Sequence, residues 1–196
     1  MDSFPFYLEI GLAHILDVAQ GLDHVLFILA LTAASHPREW KKLLVLVTAF
    51  TMGHSVTLAM ATLDVVRVSV PLVEVLIVVT ILVTAMTNFF TSDETRETPW
   101  TVNFWFAAVF GLIHGLGFSN MLRSLLMGAD DIVVPLLAFN TGLEIGQLMV
   151  VLIFSGITFL VIDRLGLNRR HWKLVISGSI VGMALLILVD RINTLL

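Results

Sequence analysis

The stretch that decides the fold of this chain is GLDHVLFILALTAA, residues 21–34. Its apolar side chains are typical of a helix in contact with lipid, yet Asp23 and His24 stand side by side near its start. A carboxylate and an imidazole inside a bilayer raise the free energy of insertion unless a partner compensates them. The stretch therefore predicts a transmembrane helix and, on it, the beginning of a polar site.

The whole chain has the composition of a membrane protein. Of its 196 residues, 58% are hydrophobic and only 13% are charged, and the mean hydropathy is +0.97. Cysteine is absent, so any metal would be held by nitrogen and oxygen ligands. The net charge of −4, with the few Lys and Arg residues at loop ends, excludes nucleic-acid binding.

Six apolar runs have about the length that a transmembrane helix needs, roughly 20 residues. The predicted helices cover residues 8–33, 42–62, 69–90, 102–126, 132–161 and 172–192. Because only short polar segments separate them, we predict an all-α protein with a single polytopic transmembrane domain over residues 1–196. No Lys or Arg precedes Arg38, and the first run contains Asp17 and Asp23, so we expect that run to stay in the mature chain rather than to be cleaved as a signal peptide.

The distribution of basic residues predicts the orientation of the helices. Eight Lys and Arg residues follow runs 1, 3 and 5, and three lie on the opposite side. Since cytoplasmic loops carry the excess of positive charge, both termini are predicted to lie outside. The eight are Arg38, Lys41, Lys42, Arg96, Arg164, Arg169, Arg170 and Lys173, and the three are Arg67, Arg123 and Arg191.

Two short segments of the first half return in the second half. GLAH at 11–14 is repeated as GLIH at 111–114, and AFTMG at 49–53 as AFNTG at 138–142. Each pair lies on corresponding helices of two three-helix halves. Because three helices per half make the halves antiparallel, these repeated segments predict a 3+3 inverted repeat, an arrangement common in secondary transporters.

Glycines predict where helices approach closely or bend. GLIHG (111–115), GLEIG (142–146) and GSIVG (178–182) are G-x-x-x-G patterns, which indicate close helix packing. The glycine-rich segment GLGFSN (115–120) predicts a kink or break in the fourth helix.

Ionisable residues lie well inside four of the six runs. On the first run, His14, Asp17 and His24 share one helical face, and Asp23 sits about 100° away from His24. We interpret Glu74 as structural, because it lies near the end of its run. The candidate metal ligands are His14, Asp17, Asp23, His24, His54, His114 and Glu144.

The carboxylates in this set need compensation. Unpaired, the three would together cost about 8–10 kcal/mol, at about 2.5–3.5 kcal/mol each, whereas a whole fold is stable by only about 5–15 kcal/mol. A bound cation, His–carboxylate pairs, protonation of the acids or a water-filled cavity would each offset this cost. A single intramembrane histidine often only bonds a neighbouring helix, but the clustering on four runs indicates a binding site.

Imidazole and carboxylate ligands without thiolate suit a divalent transition metal such as nickel, cobalt or zinc. The leading function predicted is therefore a divalent-metal permease with an intramembrane site. One alternative is an intramembrane zinc hydrolase in which Asp23 or Glu144 activates a metal-bound water. The other is a non-catalytic accessory protein that delivers metal. Transport is favoured over catalysis.

Four segments carry a family resemblance: GLDHVLFILAL, TAFTMGHSVTLAMA, GLIHGLGFSN and AFNTGLEIGQL. They resemble the signature blocks of the HupE/UreJ family of hydrogenase and urease accessory membrane proteins, in its second, shorter-motif branch. The resemblance covers residues 11 to about 150. It implies a multi-pass protein of the bacterial-type inner membrane, in contact with lipid and with metalloenzyme maturation proteins, that takes up nickel or cobalt.

The sequence departs from the family pattern at one position. The family commonly has a histidine six residues before the Asp of its Asp-His pair, whereas this sequence has Asp17 there, with His14 one turn earlier. Either Asp17 replaces a ligand or His14 reaches the same site, so the preferred ion stays open.

Overall fold

The computed structural model describes residues 3–35, 39–91, 100–126 and 132–195. Within these residues the regular secondary structure is helical, as the apolar runs predict. A π-helical turn, Leu160–Arg164, extends the sixth helix. The α-helices are α1 (Ser3–Leu16), α2 (Val18–Ala34), α3 (Trp40–Thr62), α4 (Val70–Phe90), α5 (Trp100–Leu125), α6 (Val133–Phe159) and α7 (Arg169–Leu195).

Four helices in the described residues are long and apolar enough to cross a membrane: α3, α4, α6 with its π-helical turn, and α7. The pair α1 and α2 makes a fifth if the bent pair is one span. In α5 the apolar part described is Asn103–Ser119, which is shorter than a full span, so the count of six stays a prediction. Large apolar side chains such as Leu152 (71% exposed) and Leu186 (76% exposed) face outward, where lipid would cover them.

The first apolar run forms two helices rather than one. Asp17 is not helical, and α1 and α2 meet at 64° across the residues that follow it. Gly21 permits this bend, because a Cβ there would collide with the backbone carbonyls of His14 and Ile15. The break predicted in residues 115–120 is wrong: α5 is continuous there, and Gly115 instead packs against the backbone of His54.

Helices α1 and α6 pack backbone to backbone through glycines. A Cβ added to Gly11 would meet the carbonyl of Phe139, and one added to Gly142 would meet the carbonyl of Leu8. One turn further along, Gly146 lies against the side chain of Ile15. Contacts of this kind let two helices approach more closely than larger side chains would allow.

Helices α3 and α5 make the same kind of contact. Gly53 faces the carbonyl of Ala108, and Gly111 faces the carbonyl of Phe50. The same positions are in contact as between α1 and α6. Leu8 and Gly11 of α1 correspond to Ala108 and Gly111 of α5, 100 residues later in the chain. Phe139 and Gly142 of α6 correspond to Phe50 and Gly53 of α3, 89 residues earlier. The predicted close packing at GLIHG and GLEIG is confirmed. At GSIVG, however, a Cβ added to Gly182 would meet no atom of a packed neighbour within 4 Å in the part of the chain that the structure describes.

Basic side chains complete the ends of two helices on the side predicted to be cytoplasmic. The Lys173 ammonium donates to the carbonyl of Thr91 (2.6 Å), and Arg169 donates to the carbonyl of Ala34 (3.3 Å). Carbonyls at helix C-termini lack intrahelical donors and attract cations. Arg38 and Arg96, which contribute to the predicted orientation, lie outside the described residues.

On the opposite side, Asp64 in the segment between α3 and α4 pairs with two arginines. Arg123 contacts its carboxylate at 2.7 Å and also donates to the carbonyl of Ala61. The Nε of Arg67 donates to Asp64 at 2.7 Å, and this hydrogen bond holds the pKa of Asp64 below its usual value. The end of α5 is thereby tied to the end of α3.

Asn88 joins three helices away from the histidines. Its buried side-chain amide donates to the carbonyl of Ala30 on α2 (2.9 Å) and to the hydroxyl of Ser177 on α7 (3.0 Å). We expect Asn88→Leu to lower the free energy of unfolding by about 1 kcal/mol, because both hydrogen bonds are lost within the bundle. Denaturant titration in detergent measures the change. Thr87→Val, at an exposed position of the same helix, is the control and should leave stability unchanged; equal effects of the two would contradict the prediction.

Candidate metal centre

Four buried histidines from four helices meet in the interior of the bundle. They are His14 on α1, His24 on α2, His54 on α3 and His114 on α5, with exposed fractions of 8, 5, 0 and 1%. The His24 ring lies within 6 Å of the other three: the centroid distances are 4.8 Å to His14, 5.7 Å to His54 and 5.1 Å to His114. The four histidines singled out in the sequence therefore share one interior.

Three of the four are close enough together to hold a metal ion. His14, His24 and His54 each offer a ring nitrogen, and these atoms all lie within 4.8 Å of one another. In a tetrahedral site with metal–nitrogen bonds of about 2.0–2.1 Å, neighbouring nitrogens are about 3.3 Å apart. The three nitrogens would have to approach one another by up to about 1.5 Å to share an ion, a movement that ring rotation can supply.

Most of the ring nitrogens lack hydrogen-bond partners among the described residues. This is so for both nitrogens of His14 and of His54, for Nε2 of His24 and for Nδ1 of His114. The side chain of Asn140 on α6 approaches His54 closely enough to interact with it. Buried polar atoms in native proteins are nearly always paired, so this concentration of unpaired lone pairs and protons fits a group of metal ligands.

Phenylalanine rings enclose the cluster: Phe27, Phe50, Phe118 and Phe139. The shortest of these ring distances are 4.2 Å from Phe118 to His14 and 4.9 Å from Phe50 to His114. Such a shell limits access of water and lowers the local dielectric constant, which strengthens the interaction of an ion with its ligands.

The glycine contacts explain why the histidines come so close. Gly111 and Gly115, on either side of His114, both face the backbone of His54. Helices α3 and α5 therefore touch at the level of the two rings. In the same way Gly11, one turn before His14, lies against the backbone of α6.

The carboxylates of the predicted ligand set lie outside the group of three. Asp17 is exposed at the junction of α1 and α2. Asp23 is half-buried and within electrostatic range of Arg191 and Glu74, which form an ion pair at 3.4 Å. In the described part of the chain, no carboxylate oxygen lies within 4.8 Å of all three ring nitrogens of this group.

Glu144 faces α3 rather than the histidines. Its carboxylate accepts a hydrogen bond of 2.8 Å from the hydroxyl of Thr48. One turn later Gln147, which is fully buried, accepts a hydrogen bond of 2.8 Å from Thr51. Both side chains thus connect α6 to α3.

The sequence analysis missed Thr80 on α4. Its hydroxyl lies 3.0 Å from Nε2 of His114 and is buried. The available signal was a lone hydroxyl in the apolar stretch VLIVVTILV, residues 75–83. The enclosing phenylalanines gave no signal, because the same residues are common in lipid-facing positions.

Apolar spanning helices around a buried group of histidines define a multi-pass membrane protein with a candidate metal site. The chain belongs to the HupE/UreJ family: the family model described as HupE / UreJ protein matches residues 1–191. This confirms the resemblance over nearly the whole chain. No curated protein and no solved structure matches it.

Proposed function

We propose that the chain is a permease for a divalent transition metal, with His14, His24 and His54 as its transient binding site. The observation that carries the proposal is the meeting of these three imidazoles in the interior of a membrane protein. They come from three different helices, and each has at least one ring nitrogen without a hydrogen-bond partner of normal geometry among the described residues. The family is associated with nickel and cobalt uptake or with accessory roles, which supports the same class of ion.

The ligand type suits transport. Imidazole nitrogen binds nickel, cobalt and zinc well and binds magnesium and calcium poorly, so three histidines select transition metals. Neutral ligands leave the charge of a divalent ion uncompensated in the interior of the bundle, and this cost opposes permanent retention of the ion. An ion that is to be conducted must be bound tightly enough to be captured and loosely enough to be released.

The environment of the acids favours transport over hydrolysis. A hydrolase needs a general base within hydrogen-bond reach of the metal-bound water, directly or through one more water. Glu144 accepts from Thr48 on α3, and Asp23 lies near Arg191 and Glu74. Neither acid belongs to the group of ligand atoms formed by the histidines.

The carboxylates of the predicted site belong, in this proposal, to the path of the ion rather than to the central group. Asp17 is exposed where the first span bends, and Asp23 directly precedes His24. Glu144 lies on the same helix as Asn140, which approaches His54. Acidic groups in the membrane often mark ion and proton pathways, so a proton is the proposed counter-ion.

The proposed architecture is one domain of six spans in a 3+3 inverted repeat, with α1 and α2 together forming the first span and both termini outside. The identical glycine register of the α1–α6 and α3–α5 pairs supports this repeat. Two equivalent helix pairs around a central site could rock against each other and expose the ion to each side in turn. The proposed location is the bacterial inner membrane, with metalloenzyme maturation proteins as recipients of the metal.

The test is uptake by the purified protein in liposomes. Metal-free protein is reconstituted, and the uptake of radiolabelled Ni²⁺, Co²⁺ and Zn²⁺ is compared with that of Mg²⁺ and with empty liposomes. The proposal expects saturable uptake of at least one transition metal and none of Mg²⁺. Tight binding of one zinc ion per protein without uptake would instead indicate the hydrolase. If the protein neither binds nor takes up a metal, the accessory role remains.

A further inference from the structure

The hydroxyl of Thr80 has two neighbours that together fix its role. Its oxygen lies 2.7 Å from the carbonyl oxygen of Ile77 on the same helix and 3.0 Å from Nε2 of His114 on α5. The carbonyl oxygen can only accept, and Thr80 has one hydroxyl proton. With that proton directed at Ile77, as is common for threonine in a helix, the hydroxyl oxygen is left to accept a proton from Nε2 of His114.

The other ring nitrogen of His114 leads to the same assignment. Nδ1 is buried without a hydrogen-bond partner among the described residues. If Nδ1 carried the proton, a buried N–H would be left unsatisfied, which occurs more rarely than an unsatisfied acceptor. The proton therefore belongs on Nε2, and Nδ1 carries a free lone pair in the buried interior of the bundle.

A histidine that binds a metal has this arrangement: one ring nitrogen offers its lone pair to the ion, and the other donates its N–H to an acceptor in the protein. Ligating histidines almost always donate their second N–H to a protein acceptor, which orients the ring and raises its basicity. His114 lies beside the central ring of the cluster, at 5.1 Å between the centroids of His24 and His114. It stands just outside the group of three ligands.

We propose that His114 supplies a fourth ligand, through Nδ1, to the ion held by His14, His24 and His54, and that Thr80 is the residue that positions it. This inference rests on the proposed function. It adds α4 to the helices that act on the ion: α4 carries no member of the histidine cluster, yet its hydroxyl sets the orientation of the fourth ring.

The test combines a tautomer measurement with a double-mutant cycle. In metal-free protein with ¹⁵N-labelled histidine, nuclear magnetic resonance should find His114 protonated at Nε2. Thr80→Val should disturb this state and weaken Ni²⁺ binding about 10-fold, the lower range for residues that support a metal ligand. Thr80→Ser keeps the hydroxyl and should bind as the wild type does. Thr84→Val is the matched control, because the hydroxyl of Thr84 donates to a carbonyl of its own helix.

The cycle separates positioning from general destabilisation. In the His114→Ala background, Thr80→Val should weaken Ni²⁺ binding no further, since its only effect passes through His114. An additive effect there, an unchanged affinity in Thr80→Val, or a His114 ring protonated at Nδ1 would each overturn the proposal. If the wild type binds Ni²⁺ but does not take it up, the permease proposal is overturned and this inference stands. If Thr80→Val takes up Ni²⁺ and binds it with normal affinity, this inference is overturned and the permease proposal stands.

Discussion

The His54→Ala variant is expected to bind Ni²⁺ more than about 100-fold more weakly than the wild type and to show no uptake in liposomes. Removing a residue that merely supports a metal ligand costs about 10- to 100-fold in affinity, so removing a ligand itself should cost more. His54 is completely buried and both its ring nitrogens lack hydrogen-bond partners among the described residues. Calorimetric titration of the metal-free protein measures the affinity.

His171→Ala is the control for this prediction. His171 is exposed at the start of α7, so its removal should change neither binding nor uptake. Thermal unfolding of both variants in detergent checks that the fold is retained. Wild-type affinity in a folded His54→Ala protein would show that the group of three histidines is not the binding site.

The Gly142→Ala variant is expected to lose about 2–3 kcal/mol of stability, the upper part of the range for overpacking. The added methyl group would collide with the backbone carbonyl of Leu8, and a backbone atom has no rotamer into which it can move. Helices α1 and α6 must then separate, which displaces His14 as well. Metal binding should therefore weaken together with stability.

Gly156→Ala on the same helix is the matched control. Among the described residues, no atom of a packed neighbour lies within 4 Å of a Cβ placed there. Because alanine favours a helix over glycine by roughly 0.5–1 kcal/mol, this variant should be as stable as the wild type or slightly more stable. A loss of stability that is equal in the two variants would mean that the α1–α6 contact does not account for the effect.

The two predictions address different parts of one arrangement. The histidines are the proposed ligands, whereas the glycines bring the helices that carry them close together. Gly111 and Gly115 against His54, and Gly11 against α6, act at the level of the rings themselves. A loss of binding is thus expected in both His54→Ala and Gly142→Ala, but only Gly142→Ala should lose stability with it.

Some properties of this protein follow from its sequence alone. The apolar runs determine that it is an all-α membrane protein, because only a helix satisfies the backbone within lipid. The boundaries of the predicted and observed helices agree to within a few residues for α3 to α7. The presence of His14, His24, His54 and His114 inside apolar runs also placed them in the interior of the bundle, since exposure to lipid would be costly.

The bend at Asp17 could not be read from periodicity. A spacing of three and seven residues puts His14, Asp17 and His24 on one face only if the helix is continuous. The chain breaks there, so Asp17 is exposed while both histidines still point inward. The glycine segment in α5, which looked like the place for a break, is used for packing instead.

What the tertiary structure decided is which polar groups meet. Helical spacing gives the face of one helix but not its rotation or distance relative to the others, and those are set where glycines let backbones touch. That packing brings ring nitrogens of three imidazoles within 4.8 Å of one another, turns Glu144 towards Thr48 and places Thr80 beside His114. The sequence alone placed histidines and acids within apolar runs, and only the packing of the helices separated the histidines from the acids.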